Sequence, residues 1–108
     1  MSSGFVTIYM TAASKDEAQT IARALVQDRL VACANVVDGV TSYFRWEGEV
    51  QTEAEVAIIA KSRSALVGDI ESRVKEVHTY DCPCIVAWPI ESGSTDYLDW
   101  IKTETREP

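Results

Sequence analysis

The chain has 108 residues, enough for one domain whose core needs no covalent staples. Seventeen acidic against ten basic side chains give a formal net charge of −7, which repels phosphate backbones and argues against a nucleic-acid partner. No apolar run approaches the ~20 residues of a membrane span, and the opening Met1-Ser2-Ser3-Gly4 carries no basic leader. An odd number of cysteines, three, speaks against a secreted disulfide framework, so the expected setting is cytoplasmic, with reduced thiols and no membrane partner.

In chain order, Phe5 to Thr11 reads as a short first strand. Ser14-Lys15-Asp16-Glu17 is a capping-box pattern, with Ser14 bonding an early amide and Glu17 reaching back. Behind it Ala18, Ile21, Ala22, Leu25 and Val26 recur at helical spacing, and the helix is expected to end near Arg29-Leu30. Two long apolar-rich runs then flank Trp46-Glu47-Gly48-Glu49. A turn there needs a residue tolerant of positive φ, and Gly48 supplies it. Before the turn Val40, Ser42, Phe44 and Trp46 alternate with Thr41, Tyr43 and Arg45, which is strand periodicity. After it, Val56 to Ala60 is apolar on both faces and asks for cover on both sides.

Ser64 is the expected N-cap of a second helix, with Leu66, Val67, Ile70, Val74 and Val77 as its buried stripe. Residues 85 to 90 form a short apolar strand, which Pro89 assigns to an edge or an end. Ser94 or Thr95 caps a last helix whose apolar face is Tyr97, Leu98, Trp100 and Ile101, and the polar tail from Glu104 is expected to fray. The order strand–helix–strand–strand–helix–strand predicts an α+β ferredoxin-like βαββαβ sandwich with a long β2–β3 hairpin and an extra C-terminal helix, as one domain over residues 1–108. In that fold both crossover helices lie on one face of the sheet. The other face stays open unless an oligomer covers it.

Several pieces together resemble one family: Ile21-Ala22-Arg23-Ala24-Leu25-Val26, Leu30-Val31-Ala32-Cys33-Ala34-Asn35, Tyr43-Phe44-Arg45-Trp46-Glu47-Gly48, Lys61, His78-Thr79-Tyr80-Asp81-Cys82-Pro83 and Asp96-Tyr97-Leu98-Asp99-Trp100. From about Val6 to about Arg106 the chain is similar to the CutA proteins associated with divalent cation tolerance. The resemblance implies a homotrimer packed through the hairpin strands, an assembly like that of the PII signalling proteins, and a link to copper and other divalent metals. It brings no catalytic mechanism. Two departures stand out. Thr11-Ala12-Ala13-Ser14 lacks the cysteine the family usually has after the first strand. Cys82-Pro83-Cys84 stands where an aliphatic residue or threonine, then Pro-Glu, is usual, and Thr79 replaces a usual proline.

Thiolates and imidazole are the ligands that soft and borderline metals prefer. Pro83 holds Cys82 in extended backbone, where residues two apart share a side, so Cys82 and Cys84 can converge on one copper ion, Cu(I) or Cu(II), with His78 four residues earlier. The competing reading is two small apolar residues entering a strand. Cys33, between two alanines, is either a further ligand or a buried small residue. Lys61 with Tyr43, Trp46, Tyr80, Trp100 and His78 makes a second candidate, a cleft for a small anionic metabolite. In the family, similar positions line clefts between subunits. Taken singly, each aromatic reads as packing.

Enzyme chemistry finds little foothold. The chain has one histidine, no nucleophile elbow and no glycine-rich phosphate loop. A Cys/His dyad from His78 with Cys82 or Cys84 stays open until the geometry is known.

Overall fold

The computed structural model describes residues 3–108, so the leaderless start read at Met1 and Ser2 lies outside the described residues. The elements are β1 (Phe5–Ala12), α1 (Lys15–Gln27), β2 (Cys33–Trp46), β3 (Glu49–Arg63), α2 (Val67–Val77), β4 (Ile85–Pro89) and α3 (Thr95–Glu104). All strand pairs are antiparallel, in the order β2-β3-β1-β4. That is the ferredoxin-like arrangement with a long hairpin and a third helix, and Pro89 lies on an edge strand as expected.

Strand alternation sorts the sheet into two faces. Val6, Ile8 and Met10 of β1, with Val56, Ile58 and Ala60 of β3, are buried against Ile21 and Leu25 of α1 and Ile70 and Val74 of α2. The two helices therefore bury their apolar stripes on one face, the inner one. Val26, expected in the α1 stripe, stays 42 % exposed at its rim. On the outer face sit Thr7, Tyr9, Cys33, Asn35, Ile59 and Lys61, fixed by the pairs Cys33↔Lys61, Asn35↔Ile59 and Thr7↔Lys61.

The helix starts differ from one another. Ser14 caps α1 through the Glu17 amide at 3.1 Å, and the Glu17 carboxylate reaches back to the Ala13 amide at 2.9 Å, one residue beyond the usual box. Ser64 does not cap α2. It opens a 3₁₀ turn, Ser64–Leu66, and α2 begins without a side-chain cap. Ser94 is the cap of α3, receiving the Tyr97 amide. Helix α1 stops at Gln27, two residues earlier than expected, where Arg29 turns to φ 58°. Its guanidinium reaches the Thr103 and Glu104 carbonyls at 2.7 and 3.3 Å.

The polar tail does not fray. Thr105 is buried, its hydroxyl accepts from Arg63 Nε at 2.9 Å, and the Arg106 amide donates to the Arg29 carbonyl at 2.8 Å. A charge-rich sequence hid these bonds because its partners, Arg29 and Arg63, lie far away in the chain.

Candidate functional site

The loop after α2 is fixed before any chemistry is considered. The His78 side chain is fully buried and uses both ring nitrogens. The Tyr80 amide donates to Nδ1 at 3.0 Å, so the proton sits on Nε2, which donates to the Thr11 carbonyl at 2.8 Å. The Glu17 carboxylate accepts from the Thr79 amide at 2.9 Å and lies 4.0 Å from the His78 ring. Burial alone would raise the Glu17 carboxyl. The hydrogen bonds from Thr79 and Ala13 outweigh it and hold the group below its ordinary value. Tyr80 donates its hydroxyl to Glu55 at 3.2 Å, and burial together with the Glu55 charge pushes that phenol up to about 12.

Cys82 and Cys84 lie in this loop, both free and exposed. Burial and the Glu55 charge push the Cys84 thiol up, against a hydrogen bond with Thr11. Cys33 is elsewhere. It starts β2 opposite Lys61, whereas Cys84 precedes Ile85, which pairs with Met10 near the other end of β1. Its sulfur lies 3.3 Å from the Tyr97 hydroxyl, and that contact, with burial, raises the Tyr97 phenol to about 12.

Within one protomer, then, the four expected metal ligands do not assemble. Cys82 and Cys84 share a loop, His78 is committed to backbone partners, and Cys33 is remote. Among the described residues no three His, Cys, Asp or Glu side chains converge on one point. The donor set that remains, two exposed thiols two residues apart, suits a soft ion of low coordination number, and Cu(I) is such an ion.

The expected ligand cleft is also split. Tyr43 pairs with Thr52 and Trp46 with Glu49, near the hairpin tip. Lys61 is nine residues further along β3 than Thr52, about 30 Å at strand rise. Tyr43 and Lys61 even point to opposite faces. A β-bulge between Val37 and Val40, with Gly39 at φ 82°, inserts one extra residue into β2 and inverts its alternation. Tyr80 stands with Glu55, and Trp100 packs its ring 5.5 Å from Tyr97 on α3. A depression of about 270 Å³ opens beside the bulge, lined by Asp38, Gly39, Thr41 and Glu55 among others, and includes none of the expected cleft residues.

The residue that the reading of spacing missed is Glu17, seen there only as a cap. It joins the start of α1 to the Cys82-Cys84 loop across 62 residues of chain. The capping box pointed to it, but its loop partner was hidden by distance in sequence.

Comparison with known proteins follows the same architecture. Residues 6–104 match the family described as CutA1 divalent ion tolerance protein. A divalent-cation tolerance protein CutA from Thermus thermophilus is 43 % identical over 98 residues, covering 91 % of this chain and 95 % of the relative. The chloroplastic protein CutA 1 of rice, Oryza sativa subsp. japonica, is 39 % identical over 102 residues, and this chain spans 94 % of itself but 58 % of that relative's length. The crystal structure of CutA1 from Oryza sativa superimposes with a TM-score of 0.95 at 37 % identity, covering 99 % of this chain and 98 % of the other. Fold, hairpin and sequence thus converge, and the chain belongs to the CutA1 divalent ion tolerance family.

Proposed function

We propose that this protein acts in divalent cation tolerance by holding copper, as Cu(I), on Cys82 and Cys84, and that it does so as a non-enzymatic cytoplasmic homotrimer. The observation that carries the metal assignment is the pair of free, exposed thiols in one short loop. Two thiolates satisfy Cu(I) without a third protein ligand, while Cu(II) and other divalent ions call for more nitrogen or oxygen donors. His78 stays with Thr11 and Tyr80 in this reading and serves as a brace for the loop, not as a ligand. Cys33 stays with Tyr97. The three free thiols support a reducing compartment. The engagement of His78, the sole histidine, at both ring nitrogens supports the non-enzymatic reading.

The trimer is supported by the outer face. Trp88, Val86 and Val37 are each about half exposed there, and Tyr43, Trp46 and Val50 stand more exposed still on the projecting hairpin. So much apolar surface on a chain of this size marks an interaction surface.

Titration of the reduced, metal-free protein with Cu(I) against a chromophoric chelator tests the metal site. One copper per chain is expected, and Cys82→Ser with Cys84→Ser should abolish competition with the chelator. Unchanged affinity in that double variant would remove the thiols from the proposal.

A second reading has its own observation. The Lys61 ammonium, half-buried, has no ion pair or hydrogen bond among the described residues. An unpaired, half-buried cation favours a PII-like regulatory module that binds a small anionic metabolite between subunits. Tyr43 and Trp46 reach such a site only from a neighbouring copy, because of the 30 Å estimated above. A thermal-shift screen of metabolites without a single hit would count decisively against it.

A further inference from the structure

The segment Asp81-Cys82-Pro83-Cys84 is slung between two fixed points. At its entry the Thr79 amide donates to Glu17 at 2.9 Å, the Tyr80 amide to His78 Nδ1 at 3.0 Å and the Tyr80 hydroxyl to Glu55 at 3.2 Å. At its exit Ile85 is paired with Met10 in the sheet. Both thiols are exposed and stand in the loop, beyond the last β1–β4 pair, so the rows of the sheet that a trimer would cover end before them. The chain bends at Cys82, while the Cys84 thiol is held by a hydrogen bond with Thr11.

The spacing decides what the two sulfurs can do together. Successive Cα atoms are about 3.8 Å apart and Pro83 holds φ at about −65°, so the Cα atoms of Cys82 and Cys84 lie roughly 5.5–6.5 Å apart. A disulfide spans Cα separations of about 4.4–6.8 Å. Side-chain rotamers then bring sulfur to sulfur, and exposed side chains change rotamer within nanoseconds. Cys33 is no competing partner. It starts β2 opposite Lys61, away from this loop, and contacts Tyr97.

We infer that Cys82 and Cys84 form a reversible dithiol–disulfide couple oxidised by low-molecular-weight disulfides, and that closing the disulfide expels copper. The couple itself is independent of copper, and the expulsion rests on the copper reading above. Cys82, free of the Thr11 contact, attacks first: its thiolate joins one sulfur of an external disulfide RSSR. The RS–SR bond breaks, and one RS⁻ leaves and regains from water the proton that Cys82 gave up. The Cys84 thiolate then attacks the Cys82 sulfur, the mixed disulfide breaks, and a second RSH departs. Two electrons pass from the protein to RSSR, which becomes two RSH. Exposure gives the external disulfide access to the sulfurs. The neighbouring thiol, one residue away, is at a higher effective concentration than any thiol of another molecule, so the ring closes before a second molecule is captured. The closed pair has no thiolate for Cu(I), and the ion leaves unoxidised, to the RSH formed. Linkage makes the effect reciprocal, so bound copper keeps the pair reduced.

The reduced, metal-free protein is equilibrated with glutathione disulfide and glutathione at fixed ratios, then read by intact mass and by titration of free thiols. Wild type should lose two of its three thiols and two hydrogens per chain, with no glutathione adduct and no covalent multimer, and excess glutathione should restore it. Cys84→Ser should stop with one glutathione on Cys82, and Cys33→Ser should close its disulfide as wild type does. Against the chromophoric chelator, the oxidised protein should bind Cu(I) at least a hundredfold more weakly than the reduced one. Bound Cu(I) should in turn raise the disulfide-to-thiol ratio needed for half-oxidation at least tenfold. Wild type that stays reduced in excess glutathione disulfide, or that carries glutathione on both thiols without ring closure, overturns the couple. Ring closure that leaves copper affinity unchanged, or a reduced protein that takes up no copper, overturns the copper reading and leaves the couple standing.

Discussion

Glu17 does three tasks with one carboxylate. It reaches back to the Ala13 amide at the start of α1, takes the Thr79 amide of the thiol loop, and sits beside His78. Two hydrogen bonds to one charged acceptor, at about 1.5–3 kcal/mol each, are worth about 3–6 kcal/mol together. Glu17→Ala should therefore lower unfolding free energy by about that amount, measured by urea titration. The same loss should appear in the wild type on acidification. The folded carboxyl titrates below its ordinary value of 4.5, so its contribution is complete above 4.5 and is lost as pH falls through the folded value. In Glu17→Gln that segment of the pH–stability curve should flatten, and a slope equal to wild type between pH 5 and 3 would contradict the role. His78→Ala removes a buried donor and acceptor together, and should cost a further 2 kcal/mol or about that. The sequence offered His78 as a ligand because imidazole binds metals. Its burial and two backbone partners came from tertiary packing, which spacing does not report.

Among the elements, the long hairpin was the most legible and also the most misleading. Alternation in Val40 to Trp46 and in Val56 to Ala60 located both strands, and Gly48 located the turn. The turn has a second left-handed residue, Glu47 at φ 51°, beside Gly48 at φ 82°. Two successive positive φ values are the geometry that favours Asn-Gly. Glu47→Asn is expected to stabilise the protein by about 0.5–1 kcal/mol, because glutamate bears the steric cost of that region and asparagine bears less. A melting temperature equal to or below wild type would contradict this. The bulge at Asp38-Gly39 left no trace in the apolar pattern, since its neighbours Val36, Val37 and Val40 fit either phase. One inserted residue then carried Tyr43 to the face opposite Lys61 and dissolved the expected cleft within a protomer. The caps divide in the same way. Ser14 and Ser94 were readable, while Ser64 went into a 3₁₀ turn that residue identity alone does not separate from a cap.

For the whole molecule, the apolar outer face asks for a partner. Ile59 lies half-buried at its centre, between Tyr9 and Asn35. A charge there would be trapped in any sheet-to-sheet interface, at a cost of several kcal/mol. Ile59→Glu should therefore yield monomers or fail to fold, read by sedimentation velocity, and a soluble, folded trimer of that variant would refute the packing. The helices bury one face of the sheet and leave the other uncovered within the protomer. Sequence could state that need from Val56 to Ala60 but could not set the symmetry. The thiol loop hangs from Glu17, His78 and Glu55 at one end of the sheet, and Lys61 occupies the other, so the two proposed sites can be emptied separately. The most direct measurement is native mass spectrometry of the reduced protein, before and after limiting Cu(I). The account expects a mass of three chains that gains up to three copper ions and gains none in the Cys82→Ser/Cys84→Ser variant. A three-chain mass that takes up no copper, or takes it up equally without those thiols, would contradict it.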